Sequence, residues 1–341
     1  MNIMKYQTND VILLGAGFSR AISSVMPLLI DLSDELRSNI PNVPGDNIEH
    51  WMTYLSQSHP WLSEPENLRN KALFLELTQS IKRVLSAKTD EALRQCQNCP
   101  LWLQKLLQQC HERRVSIITL NYDTLLESAI LSITIDKDNK GKDRRLYLDD
   151  IYPVPMTNAG SRRGDVYWAG SVKDSCKLYK LHGSINWYYS GASEATGETI
   201  YYHYLPEWGG KLPKDDKLPE IERRYVSDKI PLLVPPVIEK SSYFQHETIR
   251  TIWGLAGQAI RSASRIICIG YSLPETDLSF RFFLGENAPD SKVSLYIVNL
   301  DINSPGHYKK LLGSSYNIDD QYVGRTIDEQ LVSCLFPQLH K

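Results

Sequence analysis

Four apolar runs lead directly into small or polar residues. Val11–Leu14 runs into Gly15-Ala16-Gly17-Phe18-Ser19-Arg20, and Val115–Thr119 into Leu120-Asn121-Tyr122-Asp123. Leu178–Leu181 precedes His182-Gly183, and Ile266–Ile269 precedes Gly270-Tyr271-Ser272. A strand that ends in glycines and opens a helix can bring backbone N–H groups close to a pyrophosphate. The full GxGxxG pattern is absent, and a tight strand–helix turn explains the same glycines. An amide such as Asn121 can donate to water and accept from it. An imidazole such as His182, with an ordinary pKa near ~6.5, can take a proton near neutral pH. Asp123 has two readings, as an electrostatic partner of Asn121 or as the N-cap of the next helix. A lone histidine at a strand end is more often a structural residue, and several strand ends of the same character shift that balance.

These groups need a scaffold that collects strand ends. The four runs, with Leu232–Val234 before Pro235-Pro236 and Val293–Val298 before Asn299, are short, β-branched and bounded by turn residues. They read as buried parallel strands. Leu101–His111, Thr124–Leu131 and Ile249–Ala263 carry apolar residues close to helical spacing. Strands alternating with helices predict an α/β fold: a Rossmann-like, doubly wound parallel sheet covered on both faces. Ligands of such sheets lie beyond the carboxyl ends of the strands. Gly15, Gly17, Asn121, Asp123, His182, Gly270 and Ser272 would then face one crevice. Residues 39–112 hold no clear strand and are expected to form a helical insertion in a catalytic domain of residues 1–38 and 113–341. Residues 136–175 and 190–229 are polar and long enough to be lids or partner surfaces.

Composition closes off several classes. The 341 residues are 42% hydrophobic and 23% charged, as in an ordinary globular chain. A net charge of −2 leaves no electrostatic footprint for nucleic acid. No apolar run is long enough to span a bilayer, and the first residues lack a signal-peptide pattern, so a cytoplasmic protein is expected. Six cysteines include one CxxC pair, Cys96 and Cys99; with no second pair, no metal site is expected.

In chain order, GAGFS, TLNYD, LHGS, GYSL and the late Asn299 resemble the motif series of sirtuins. The resemblance is closer to the sirtuin-like NADase domains of bacterial anti-phage defence proteins, and it is scattered over residues 11–301. It implies that Gly15, Ala16, Gly17, Phe18 and Ser19 cradle the pyrophosphate of NAD. It implies that Gly270 and Ser272 contact a phosphate or the adenosine ribose, with Asn299 near the adenosine. Asn121 and Asp123 would line the nicotinamide–ribose pocket, and His182 would be the catalytic histidine. The chain departs from deacetylating sirtuins at three points. Met26-Pro27 is followed by Leu28-Leu29 where those enzymes carry Gly-Ile-Pro-Asp-Phe-Arg, the double CxxC zinc module is missing, and Asn121 and His182 stand 61 positions apart.

The implied activity is an NAD+ hydrolase that splits the nicotinamide–ribose bond to nicotinamide and ADP-ribose, with NAD as substrate. Bond breaking gives an oxocarbenium-like centre, as in glycoside cleavage. Asn121 would place water, Asp123 would orient Asn121 or face the cation, and His182 would accept a proton. The resemblance further implies an NAD-depleting effector of anti-phage defence. Because the match runs nearly to the end of the chain, regulation in trans is expected, through a homo-oligomer or a separate sensor or activator protein. Two other functions fit the same motifs: an NAD-dependent protein deacylase, and a non-catalytic subunit that binds NAD or ADP-ribose.

Overall fold

Asp10-Val11-Ile12-Leu13-Leu14 is buried at every position, on both faces of the pleat. That is the signature of a central parallel strand with helices on either side. The computed structural model describes residues 9–39, 47–137, 143–158, 174–189, 200–202, 205, 208, 229–238, 240 and 243–337. Its strands are β1 (Asp10–Leu14), β2 (Ser116–Thr119), β3 (Thr134–Lys137), β4 (Asp143–Arg145), β5 (Thr157–Asn158) and β6 (Lys177–Lys180). They continue with β7 (Gly183–Tyr189), β8 (Ile200–Tyr202), β9 (Ile230–Leu233), β10 (Arg265–Ile269), β11 (Ser294–Val298) and β12 (Asn317–Asp319). The helices are α1 (Ala16–Ile22), α2 (Leu29–Asn39), α3 (Ile48–Ser56), α4 (Glu64–Gln95), α5 (Leu101–Arg113) and α6 (Leu125–Ser132). After them come α7 (Leu148–Ile151), α8 (Glu247–Arg261), α9 (Leu278–Glu286), α10 (Ser304–Leu312) and α11 (Glu329–Leu335).

The large sheet has six strands in the order β12-β11-β10-β1-β2-β6, and every neighbouring pair is parallel. From β1 the chain moves outward through β2 to β6. It then returns to the other side of β1 for β10, β11 and β12. The order therefore reverses between β1 and β10, where helices diverge and a crevice opens beyond the strand ends. The fold is the expected α/β parallel sheet with flanking helices.

Leu232–Val234 departs from the expectation of a parallel strand. Leu232 and Leu233 lie in β9, which runs antiparallel to β7 in a second sheet of order β5-β8-β7-β9. The chain leaves the large sheet at His182, turns at Gly183 (φ +74°) and enters β7 at once. The amide of Val234 donates to His182 O at 2.9 Å. β9 is an edge strand, where Pro231 can sit without costing a ladder bond.

Apolar burial forms two clusters. The main one contains the large sheet, with Leu103, Leu106 and Leu107 of α5 and Ile252, Trp253 and Ala256 of α8. The smaller one joins Leu32 and Leu36 of α2, Trp51, Met52 and Leu55 of α3, and Leu77, Ile81 and Leu85 of α4 to Ile185 and Val237. The helical segment thus packs on β7 and on the chain that follows β9. The second cluster takes in α2, and α5 belongs to the first.

Candidate active site

The glycine turn is built by contact with its neighbour strand. Gly15 N–H donates to Ile269 O at 3.1 Å, and Gly17 N–H to Gly270 O at 2.9 Å. A Cβ on Gly15 would lie 2.6 Å from Gly270 O, and one on Gly17 2.8 Å from Gly270 Cα. Gly270 has φ +66°, and a Cβ there would lie 2.2 Å from Phe18 N. The three glycines let the β1–α1 and β10–α9 connections touch backbone to backbone. Phe18 does not fit its expected place beside a ligand. Its ring is 2% exposed and meets Trp102 edge-on at 5.7 Å. Two positions along α1 from Ala16, a little over half a turn, Phe18 lies on the face directed at the core.

Asn121, Ser19 and Asp123 form a chain of hydrogen bonds. Asn121 Nδ2 donates to Gly15 O and to Ser19 Oγ, each at 2.9 Å. Ser19 Oγ donates onward to Asp123 Oδ2 at 2.6 Å. Asp123 Oδ1 accepts from Leu125 N at 3.1 Å, so this carboxylate also satisfies the first turn of α6. Both amide protons of Asn121 are therefore held by protein, and the side chain offers a ligand only its Oδ1 acceptor. The two-way exchange with water expected from the amide narrows to acceptance. The hydroxyl proton of Ser19 is likewise committed to Asp123, which leaves it no proton for a phosphate.

His182 is 7% exposed and lies between aromatic rings, with centroids 5.9 Å from Tyr122 and 6.4 Å from Trp253. Tyr122 Oη donates to Val234 O at 2.6 Å, and Trp253 Nε1 to Leu181 O at 2.9 Å, which fixes both rings. Nε2 is buried with no partner among the described residues. Burial, with the Lys240 ammonium adding to it, pushes the imidazole down to about 4; Asp277 and the backbone of Leu120, the residue before Asn121, pull the other way. At neutral pH the ring is uncharged and presents an acceptor.

Gly15, Ala16, Gly17, Ser19, Asn121, Asp123, His182, Gly270, Ser272 and Asn299 all line one cavity of about 770 Å³. Asn299 holds the loop: Nδ2 donates to Tyr271 O at 3.2 Å and Oδ1 accepts from Asp301 N at 3.1 Å. Leu273, in the same loop, is buried at φ +54°. The same cavity is lined by Tyr122 and by charged residues that the motifs do not mark, among them Glu49, Lys240 and Asp277. Lys240 Nζ donates to Asp277 Oδ1 at 3.1 Å, and Tyr271 Oη to Asp277 Oδ2 at 2.8 Å. Thr276 Oγ1 donates to Glu49 Oε2. Burial raises the Glu49 carboxyl. Burial also works against Asp277, but Lys240 and His182 outweigh it and hold that carboxyl below its ordinary value. Glu49 sits inside an amphipathic helix and Lys240 in a polar stretch, so spacing carried no signal for either. Asp277 follows the GYSL motif by four residues and was the one within reach.

Cys96 and Cys99 occupy the α4–α5 connection, where their Sγ atoms lie 3.8 Å from Ile22 O and 3.9 Å from Pro100 O. Among the described residues no group of three or more His, Cys, Asp or Glu side chains is arranged as metal ligands. No helix among them is long and apolar enough to cross a membrane. Of the segments expected as partner surfaces, 190–229 lies largely and 136–175 in part outside the described residues.

A family model described as a SIR2-like domain matches residues 115–209, from the start of β2 to just beyond β8. No curated protein matches the chain. Among solved structures, one titled as a Sir2–p53 peptide–NAD+ structure is 16% identical, with TM-score 0.39, covering 96% of this chain and 91% of that one. A Sir2Tm structure bound to a propionylated peptide is 14% identical, with TM-score 0.42 and the same coverage. A mutant Sir2 homologue in complex with ADP-ribose is 14% identical, with TM-score 0.37, covering 100% of both chains. The stretch that carries Asn121, Asp123 and His182 is thus similar to the SIR2-like domain family.

Proposed function

We propose that the cavity binds NAD+ and that water cleaves its nicotinamide–ribose bond, giving nicotinamide and ADP-ribose. One observation carries this reading: Asn121 and His182 line the same cavity. The SIR2-like match over residues 115–209 supports it.

The pyridinium leaves with the C–N electron pair as neutral nicotinamide, so no general acid is needed at that step. Positive charge then spreads over C1′ and the ring oxygen of the ribose. Asn121 Oδ1, a fixed acceptor, orients the attacking water. Neutral His182, in the wall of the same cavity, accepts the proton lost as the water oxygen bonds to C1′ and passes it to solvent. Ser19 and Asp123 lock the amide so that it needs no reorganisation when charge develops. Ser272 and the turn at Gly15–Ala16 face the pyrophosphate and adenosine half. In the cell the chain acts as an NAD-depleting effector of anti-phage defence, controlled in trans by self-assembly or by a sensor protein.

Incubating purified protein with NAD+ and separating products by HPLC tests this. Nicotinamide and ADP-ribose in equal amounts are expected without any peptide, alone or with proteins encoded by neighbouring genes. Turnover that requires an acetyl-lysine peptide would convert the reading to a deacylase. Asn121→Ala is expected to lower the rate at least ~10²-fold, the size of a positioned polar group in a reaction centre.

A further inference from the structure

Lys180 and Glu127 are each 1% exposed, and neither is part of the cavity wall. Taking both charges out of water is costly, and apolar residues of similar size are often no less stable in such a place. The contacts of the pair show what it holds. Lys180 ends β6, where it stands opposite Thr119 of β2. Its Nζ donates to Glu127 Oε1 at 2.8 Å and to Asp123 O at 2.6 Å. Glu127 lies in the first turn of α6, and Tyr152 Oη donates to the same Oε1 at 3.2 Å. Residues 120–124 run between β2 and α6 outside regular structure. Two main-chain bonds tie this stretch to the chain around His182: Leu181 N–H donates to Thr119 O and Ile185 N–H to Tyr122 O, each at 3.0 Å. Lys180, two residues before His182, adds a tie at Asp123 itself.

We propose that Lys180, oriented by Glu127, is a positioning residue for the Asn121–Ser19–Asp123 chain, fixing the main chain of Asp123 against the strand that delivers His182. The tether stands by itself; its consequence for turnover rests on the NAD+-cleavage reading. Asp123 is held at three atoms: Oδ2 by Ser19, Oδ1 by Leu125 N–H and the carbonyl oxygen by Lys180. The third bond has a charged donor, which makes it stronger than a bond between neutral groups, and Glu127 supplies the counter-charge that keeps an ammonium at this depth. Without it the peptide after Asp123 loses its partner, and the carboxylate follows the movement of its own main chain. The movement passes through Ser19 Oγ to the amide of Asn121. The glycine turns at Gly15 and Gly270 take no bond from the pair, so loosening it acts on the reaction step rather than on binding of the ligand.

The test takes the full chain without NAD+ and reads amide hydrogen exchange at Leu125, whose N–H donates to Asp123 Oδ1. Lys180→Met alone leaves Glu127 buried without its counter-ion, so Lys180→Met/Glu127→Leu, which removes both charges, is the deciding variant. In it, exchange at Leu125 is expected to be on the order of tenfold faster, with Ile267 and Ile297 in the large sheet unmoved. If that variant does not fold, Lys180→Met/Glu127→Gln, which keeps an acceptor for Tyr152, carries the same readings. Exchange that stays slow at Leu125, or that rises equally at Ile267 and Ile297, overturns the tether. In NAD+ cleavage, kcat should fall roughly ten- to a hundredfold, as a displaced reacting group costs, with KM near that of the unmodified chain. Faster exchange at Leu125 with kcat unmoved, or a raised KM in place of a lowered kcat, overturns the positioning role. If the unmodified chain splits no NAD+, the cleavage reading falls, and the exchange at Leu125 alone decides the tether.

Discussion

At the scale of single residues, the centre is organised by who holds whose proton. Ser19 takes one proton from Asn121 and gives its own to Asp123. Replacing Ser19 with Ala leaves buried partners on both sides unmatched, which costs ~1–3 kcal/mol. The Asn121 amide then keeps only its bond to Gly15 O, so NAD+ turnover should fall while a matched drop in Tm is seen by calorimetry. His182 gives a pH prediction. In the unfolded chain its ring binds a proton below ~6.5, and in the folded protein only below about 4. Between those values the unfolded state binds more protons, so His182 makes stability fall as pH falls through that window. Urea titrations at pH 7 and pH 5 should show this loss, and His182→Gln should reduce it. His182→Ala should cost at least ~10²-fold in rate if the ring is the proton acceptor.

At the scale of elements, the crevice depends on two connections passing through one another's van der Waals envelope. Gly270→Ala would force a left-handed backbone, worth ~1–2 kcal/mol, and place a methyl 2.2 Å from Phe18 N. The expected outcome is a larger loss than the backbone term alone, visible as a lowered urea midpoint, together with lost turnover because β10 and the α1 turn must separate. The strand ends at Thr119, Lys180 and Ile269 were readable from apolar runs closed by turn residues. β7 was not. It follows β6 after only Leu181 and His182, and no Gly-Pro cluster separates the two, so one run of residues conceals a change of sheet. β9 was readable as a strand but not as antiparallel, since direction is set by the partner it meets.

At the scale of the whole molecule, the cavity is walled by both apolar clusters: the large sheet supplies the strand ends, while Glu49 and Leu85 come from the helical segment packed on β7. A ligand that fills it should tie the two clusters together. ADP-ribose at one hundred times its Kd is expected to raise stability by ~2.7 kcal/mol, measurable as a higher Tm, with the rise reduced in Asn121→Ala.

Apolar period and turn chemistry, which act over a few neighbouring residues, were enough to place five of the six parallel strands, all but β12, and to mark Gly15, Gly17, Asn121, Asp123 and His182 at their ends. What those groups can do was settled by contacts between residues far apart in the chain. Asn121 became an acceptor because Gly15 and Ser19 took its protons. His182 became an uncharged ring because aromatic walls and Lys240 surround it. Phe18 was turned from ligand to core by the face of α1 it occupies. Proton ownership and burial belong to pairs of distant residues, and only the packed chain brings such pairs together.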